Sequence, residues 1–254
     1  MSKIKKTIKK YNNFEETYKE AYIALPKGFE GIKEPLFLSI KKFKEKFNTF
    51  KNKQKYPVVF YMHGSAGLSY GKKYKDAIVD ENYIFFAPNS FKLKNRPTYK
   101  TPDKLKKYEE VHKVRVAEIF YNIKKLKEFD FIDFKNIFLM GSSEGALAAA
   151  KYSRNEFKGR IITAFACENG YYSNDFKIGA KKSDPFLNII GTKDEFFSNN
   201  SKFEHNKVTG HCTNALLKYK NAKVVILPKT RHNVIENKYT IPEVLSFLKL
   251  HISN

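Results

Sequence analysis

The chain contains no tryptophan, two cysteines and three methionines among 254 residues. Cys167 and Cys212 are too few for a disulfide scaffold and lack zinc-ligand spacing. They would pair if the chain were exported, and buried free thiols are the favoured reading. No apolar run approaches the roughly 20 residues needed to cross a bilayer, so no membrane span is expected. The lysine-rich first ten residues run into Tyr11-Asn12-Asn13-Phe14-Glu15-Glu16, not into an apolar central block. That pattern does not read as a secretory signal, and a cytoplasmic location is the expectation.

Acidic residues are also scarce, 26 against 48 lysines and arginines, for a net charge of +22. Such a chain attracts polyanions. Its lysines are spread over every region, and there is no zinc-finger spacing, Gly-rich RNA-binding signature or basic region continuous with heptads. The charge reads as a solvated lysine-rich surface, with no specific nucleic-acid partner. The missing tryptophan beside abundant lysine, asparagine, isoleucine and phenylalanine reads as a compositional bias of the source.

What is present is a 42% hydrophobic chain in which strand-like and helix-like segments alternate. The first 20 residues are polar and read as a weakly docked start; 21–254 read as one domain. Strands are predicted at 21–25, 35–40, 58–62, 83–88, 137–140, 161–167, 186–190 and 223–227. Helices are predicted at 74–81, from Thr101-Pro102 with Thr101 as N-cap, at the alanine run 146–150, near 214–219 and at 242–251. The lysine-dense stretch 41–55, with Phe43, Phe47 and Phe50, reads as an exposed connector. This alternation predicts an α/β fold: a mostly parallel central sheet with helices on both faces. The short 168–184 connector leaves little or no cap domain.

The chain is organised around Gly141-Ser142-Ser143-Glu144-Gly145, between an apolar strand and an alanine-rich helix. A sharp strand-to-helix turn with Ser143 at its apex leaves room beside it only for small residues. Asp194 and His232 likewise follow predicted strands, in the order nucleophile, acid, histidine. Ligands of such sheets bind at the carboxyl ends of the strands. A serine hydroxyl needs a base to take its proton, imidazole suits that task, and a carboxylate orients the imidazole. The backbone N–H groups of Glu144 and Ser65 are the candidate oxyanion donors, Ser65 lying in the turn His63-Gly64-Ser65-Ala66-Gly67. Glu168 and Glu195 are rival acids, and His205 and His211 rival bases. His63 reads as a structural residue fixing the oxyanion loop, and Ser142 as a turn hydroxyl.

Taken together, the segments from Val58 onward resemble the dienelactone hydrolase family of the α/β-hydrolase superfamily. The resemblance rests on the His63 turn, Pro88-Asn89-Ser90-Phe91 with Arg96, the helix Val114-Arg115-Val116-Ala117-Glu118-Ile119, the elbow, Gly191-Thr192-Lys193-Asp194 and Arg231-His232-Asn233. It implies a serine hydrolase without metal or cofactor, acting on a small-molecule ester. The enzyme that names the family has a cysteine nucleophile where this chain has Ser143, which favours general ester or peptide-type acyl transfer. The basic loop after Asn89 suggests an anionic substrate held by Arg96, Lys92 and Lys94. Two alternatives accompany this reading: a small prolyl-oligopeptidase-type peptidase, and a non-catalytic basic binding protein on the same fold. The oligomeric state is not legible.

Overall fold

The computed structural model describes residues 3–47, 49, 54–203 and 207–253. Phe50 of the lysine-dense stretch and His205 lie outside them. Two short helices open the chain, α1 (Lys3–Lys10) and α2 (Phe14–Lys19). Phe14, Thr17 and Tyr18 of α2 are buried, and Ile4 and Ile8 of α1 pack beside Phe14. The start of the chain is thus seated on the core, contrary to the weak docking expected from its many charges.

Strands β1 (Tyr22–Leu25) and β2 (Leu36–Ser39) form an antiparallel pair. Next comes α3 (Ile40–Lys46), where the sequence suggested an exposed connector. The Ser39 hydroxyl accepts the Lys42 N–H to cap this helix, and Ile40 and Phe43 turn inward. Then follow β3 (Tyr56–Met62), α4 (Lys72–Asp80), β4 (Ile84–Ala87) and the 21-residue α5 (Leu105–Lys125). Helix α5 starts at Leu105 with Lys104 as N-cap, not at Thr101; Thr101 and Pro102 form a bend ahead of it. The remaining elements are β5 (Ile132–Ser142), α6 (Glu144–Lys151), β6 (Gly159–Thr163), β7 (Phe186–Gly191), α7 (Thr213–Leu216), β8 (Ala222–Leu227) and α8 (Thr240–His251).

The eight strands form one sheet in the order β2-β1-β4-β3-β5-β6-β7-β8. From β4 to β8 every pairing is parallel, and β1 pairs antiparallel with both β2 and β4. Both faces are covered, and the period-2 alternation of each strand divides the core. Val58, Phe60, Met62, Ile137 and Leu139 point to the side of α5 and α6. Val59, Tyr61, Phe138 and Met140 point to the side of α4 and α8. Residues 164–185 contain no helix or strand, in keeping with the absence of a cap.

The cysteines depart from expectation. Cys167, in the loop after β6, and Cys212, just before α7, form a disulfide across a sequence separation of 45. Their partnership is invisible in the sequence because it joins two irregular loops. Thiol titration of the denatured, unreduced protein is expected to find no free thiol. Replacing both cysteines with serine should lower stability by about 3–4 kcal/mol in denaturant melts, from loop closure alone.

His112 of α5 is 2% exposed, and its two ring nitrogens find no hydrogen-bond partner among the described residues. Burial, aided by Lys151 nearby, lowers its pKa to about 3. The unfolded chain binds this proton near the ordinary value of 6.5 and the folded chain does not, so stability falls as pH drops through that window. The expected result is a melting temperature that declines from pH 7.5 to pH 5 and declines less in His112→Phe.

Candidate active site

Ser143 sits between β5 and α6 with φ 54° and ψ −118°, a backbone conformation costly for any residue with a side chain. The turn is imposed from both sides. Its N–H donates to Thr163 O on β6 at 2.9 Å, and its carbonyl accepts from Leu147 N–H at 3.2 Å in α6. A Cβ at Gly145 would lie 2.0 Å from Met62 O, and one at Gly141 would lie 2.3 Å from Gly145 O. Both positions therefore require glycine, which lets α6 start directly against β3.

His232 follows β8 and Asp194 follows β7, so the parallel strand ends deliver both to the same edge of the sheet as Ser143. His232 Nε2 is 2.9 Å from Ser143 Oγ, and Nδ1 is 2.7 Å from Asp194 Oδ2. Asp194 is completely buried, and its other oxygen accepts the Phe196 and Phe197 N–H groups, each at 2.9 Å. Of the rival acids, Glu168 instead accepts from Thr209 and Gly210, away from His232. Glu195 takes a role the sequence did not reveal. One oxygen accepts the His232 backbone N–H at 2.9 Å, and the other pairs with Arg231. His211 is beside Thr209 and makes no contact with Ser143.

The His63 turn lies directly opposite the elbow, so close that a Cβ on Gly64 would be 3.3 Å from Ser143 Cβ. His63 is wholly buried, and its Nε2 faces two groups that can only donate, Ser90 N–H and the Arg115 guanidinium, both at 3.2 Å. Nε2 must then accept, and Nδ1–H donates to Gly64 O at 2.7 Å. Burial, and secondarily Arg115, hold the imidazole pKa well below its ordinary value, consistent with this neutral tautomer. In a planar trans peptide the C=O and N–H point in opposite directions. With Gly64 O held toward His63, the N–H of Ser65 is directed the other way. Glu144, the second candidate donor, opens α6, where first-turn N–H groups have no partner within the helix.

Beneath the elbow lies a buried charge network. Arg115 donates to His63 O at 2.7 Å and pairs with Glu118 at 3.0 Å and Glu144 at 3.4 Å. Arg96 donates to Glu144 at 2.6 Å and to Ser90 Oγ at 2.7 Å. Burial pushes the Glu118 carboxyl up, with Arg115 opposing. Arg96 is thus committed to the protein and turned away from any substrate, contrary to the expectation. Lys92 and Lys94 are exposed and do not line the cavity above Ser143. Proximity of this loop to a strand end was legible; the direction of its side chains was not.

The cavity measures about 530 Å³ and is bordered by Ser143, His232, Ser65, Glu195 and a set of aromatic rings.

No protein-family model matches the sequence, and a search of curated proteins finds no match. Solved structures do resemble it. A candidate dienelactone hydrolase from Klebsiella pneumoniae superposes with a TM-score of 0.57 at 15% identity, covering 90% of this chain and 98% of that one. A phospholipase/carboxylesterase from Dyadobacter fermentans gives 0.53 at 18%, covering 78% and 91%. A candidate dipeptidyl aminopeptidase IV from Bacteroides ovatus gives 0.54 at 15%, covering 80% of this chain but 32% of that one. The fold is the α/β-hydrolase fold. Within it, proteins named for different reactions share the sheet, so an α/β-hydrolase architecture leaves the reaction to be argued from the site.

Gly145→Ala tests the elbow. The added methyl group must displace β3 or α6, and a loss of roughly 2–4 kcal/mol is expected in denaturant melts. Any folded fraction should have lost the registration of Ser143 against His232, read as failure to react with a serine-directed probe.

Proposed function

We propose that the protein is a serine hydrolase that cleaves an ester through an acyl-enzyme intermediate. The observation that carries this reading is the unbroken hydrogen-bonded line Ser143–His232–Asp194 opening into the cavity. His232 Nε2 takes the Ser143 proton as Oγ attacks the ester carbonyl carbon. Charge that develops on the carbonyl oxygen is met by N–H dipoles, the roles assigned to Ser65 and Glu144. Asp194, accepting from Nδ1–H, stabilises the imidazolium and keeps Nε2 facing the serine. The tetrahedral intermediate collapses, and the leaving alkoxide takes the proton from Nε2. A water then repeats the sequence against the acyl-enzyme, releasing the acid and restoring Ser143.

No step calls for a metal, and among the described residues there is no group of three His, Cys, Asp or Glu side chains placed to hold one. Neither does any helix of the described residues have the length and apolarity to cross a membrane.

Labelling with a fluorophosphonate, followed by peptide mass mapping, is the direct test. One adduct on Ser143 is expected, abolished in His232→Ala. Against an ester that is turned over, Ser143→Ala and His232→Ala should each lower kcat by about 10⁶-fold. Asp194→Asn should lower it by about 10⁴-fold. A folded protein that is neither labelled nor active would leave a binding protein on a hydrolase fold. An anilide of the same acyl group, cleaved at a comparable rate, would favour the peptidase reading.

A further inference from the structure

The cavity lining is unusual in its chemistry. Among the described residues five tyrosines and two phenylalanines border it, while no leucine, isoleucine, valine or methionine does. Its rings form a continuous arc. Tyr99 meets Tyr172 at 5.8 Å between centroids, Tyr172 meets Phe197 at 5.4 Å, Phe197 meets Phe196 at 6.4 Å, and Phe196 stands edge-on to His232 at 4.7 Å. The arc is braced at both ends. Tyr99 and Tyr172 share a hydroxyl–hydroxyl hydrogen bond of 2.8 Å, and Phe203 stacks on Phe196 at 5.6 Å. Tyr171, which also lines the cavity, stacks on Phe197.

Charge is cancelled in the same space. Among the described residues the lining holds one arginine, Arg231, which is paired with Glu195, and no lysine. Burial holds the phenols of Tyr99 and Tyr172 far above their ordinary range, so they remain neutral hydroxyls. An anionic group placed here would lose its hydration without gaining an unpaired cation. A flexible alkyl chain would bury area against the rings but would not meet their edges and faces in a preferred geometry. A flat aryl ring does both, since edge-to-face and offset ring contacts add to area burial.

We propose that the cavity selects an ester carrying an uncharged aryl group, which rests against the Tyr99–Tyr172–Phe197–Phe196 arc while its carbonyl meets Ser143. This inference deepens the hydrolase reading and rests on it. It replaces the anionic substrate suggested by the loop lysines.

The test is a matched ester panel followed by proton release: ethyl acetate, ethyl octanoate, ethyl hemisuccinate, ethyl phenylpropanoate and phenethyl acetate. The last two put the ring in the acyl or the alcohol half. At least one of them should exceed ethyl acetate in kcat/KM by about 10- to 100-fold, the range that an added hydrophobic group supplies, and ethyl octanoate by about 2- to 10-fold, the gain of ring contacts beyond area burial. Ethyl hemisuccinate should fall below ethyl acetate. The ratio of aryl to acetyl turnover should drop in Tyr171→Leu, with Tyr70→Leu, at the exposed mouth, as a second variant if the first does not fold.

Equal turnover of aryl and acetyl esters, or a preference for the octanoate or the hemisuccinate, would overturn the aryl inference while the hydrolase reading stood. If no ester is cleaved and Ser143 is not labelled, it is the hydrolase reading that fails. Calorimetric titration with ethyl phenylpropanoate then decides the cavity's preference by itself. Binding weakened in Tyr171→Leu supports it, and absence of binding overturns it.

Discussion

One buried carboxylate ties the parts of this site together. Asp194 has two oxygens and uses them for different purposes: Oδ2 faces His232 Nδ1, and Oδ1 accepts the N–H groups of Phe196 and Phe197. The first contact orients the imidazole toward Ser143. The second folds the loop after β7 so that two phenyl rings stand beside that imidazole. Three donors converge on a group with no solvent exposure, which is the condition under which a buried carboxylate is tolerated. The geometry of the Ser143–His232–Asp194 line and the shape of the cavity wall are therefore not independent. A change that frees Asp194 disturbs both.

A second constraint operates from below. The elbow has a strained serine, and its neighbour Glu144 has its side chain in the protein interior, paired with Arg96 and Arg115. Arg115 in turn holds the carbonyl of His63, whose ring fixes the Gly64 peptide. One network thus spans both segments proposed to supply oxyanion donors: the start of α6 and the turn after β3. Buried ion pairs contribute little net stability beside well-packed apolar residues. Removing one partner, however, leaves an unpaired buried charge at a cost of about 3–5 kcal/mol. Such a network is better suited to holding two loops in register than to stabilising the fold.

The sequence showed the sheet and the order of its strand ends, because parallel strands buried on both faces are continuous apolar runs bounded by glycine and polar turns. Ser143, Asp194 and His232 were legible for the same reason: each directly follows such a run, and parallel strands bring their ends to one edge. What escaped was contact between irregular segments. Cys167 and Cys212 meet across two loops with no periodicity to give their positions. The amphipathic pattern of α2 was masked by its charges, although Phe14 and Tyr18 are its core anchors. Arg96 lay in the correct loop, but its partner Glu144 is 48 residues away in sequence and could be identified only in three dimensions. Glu195 was weighed as an acid and instead holds the His232 backbone.

The disulfide and the net charge acquire meaning once the aromatic arc is in place. Cys167 is four residues before Tyr171 on a connector that has no helix or strand but is held by buried rings such as Phe165 and Tyr172. The bond to Cys212 anchors the connector at the point where it begins to supply rings to the cavity. The surplus of +22 acts elsewhere. Exposed lysines are screened beyond roughly 8 Å at physiological ionic strength, and none of the described lysines lines the cavity. Their field can gather anions at the surface, yet an anion entering the cavity finds the arginine there already paired. The charge of the surface and the chemistry of the site are therefore separable. A salt-dependent affinity of the whole protein for polyanions would carry no information about the chemistry of the cavity.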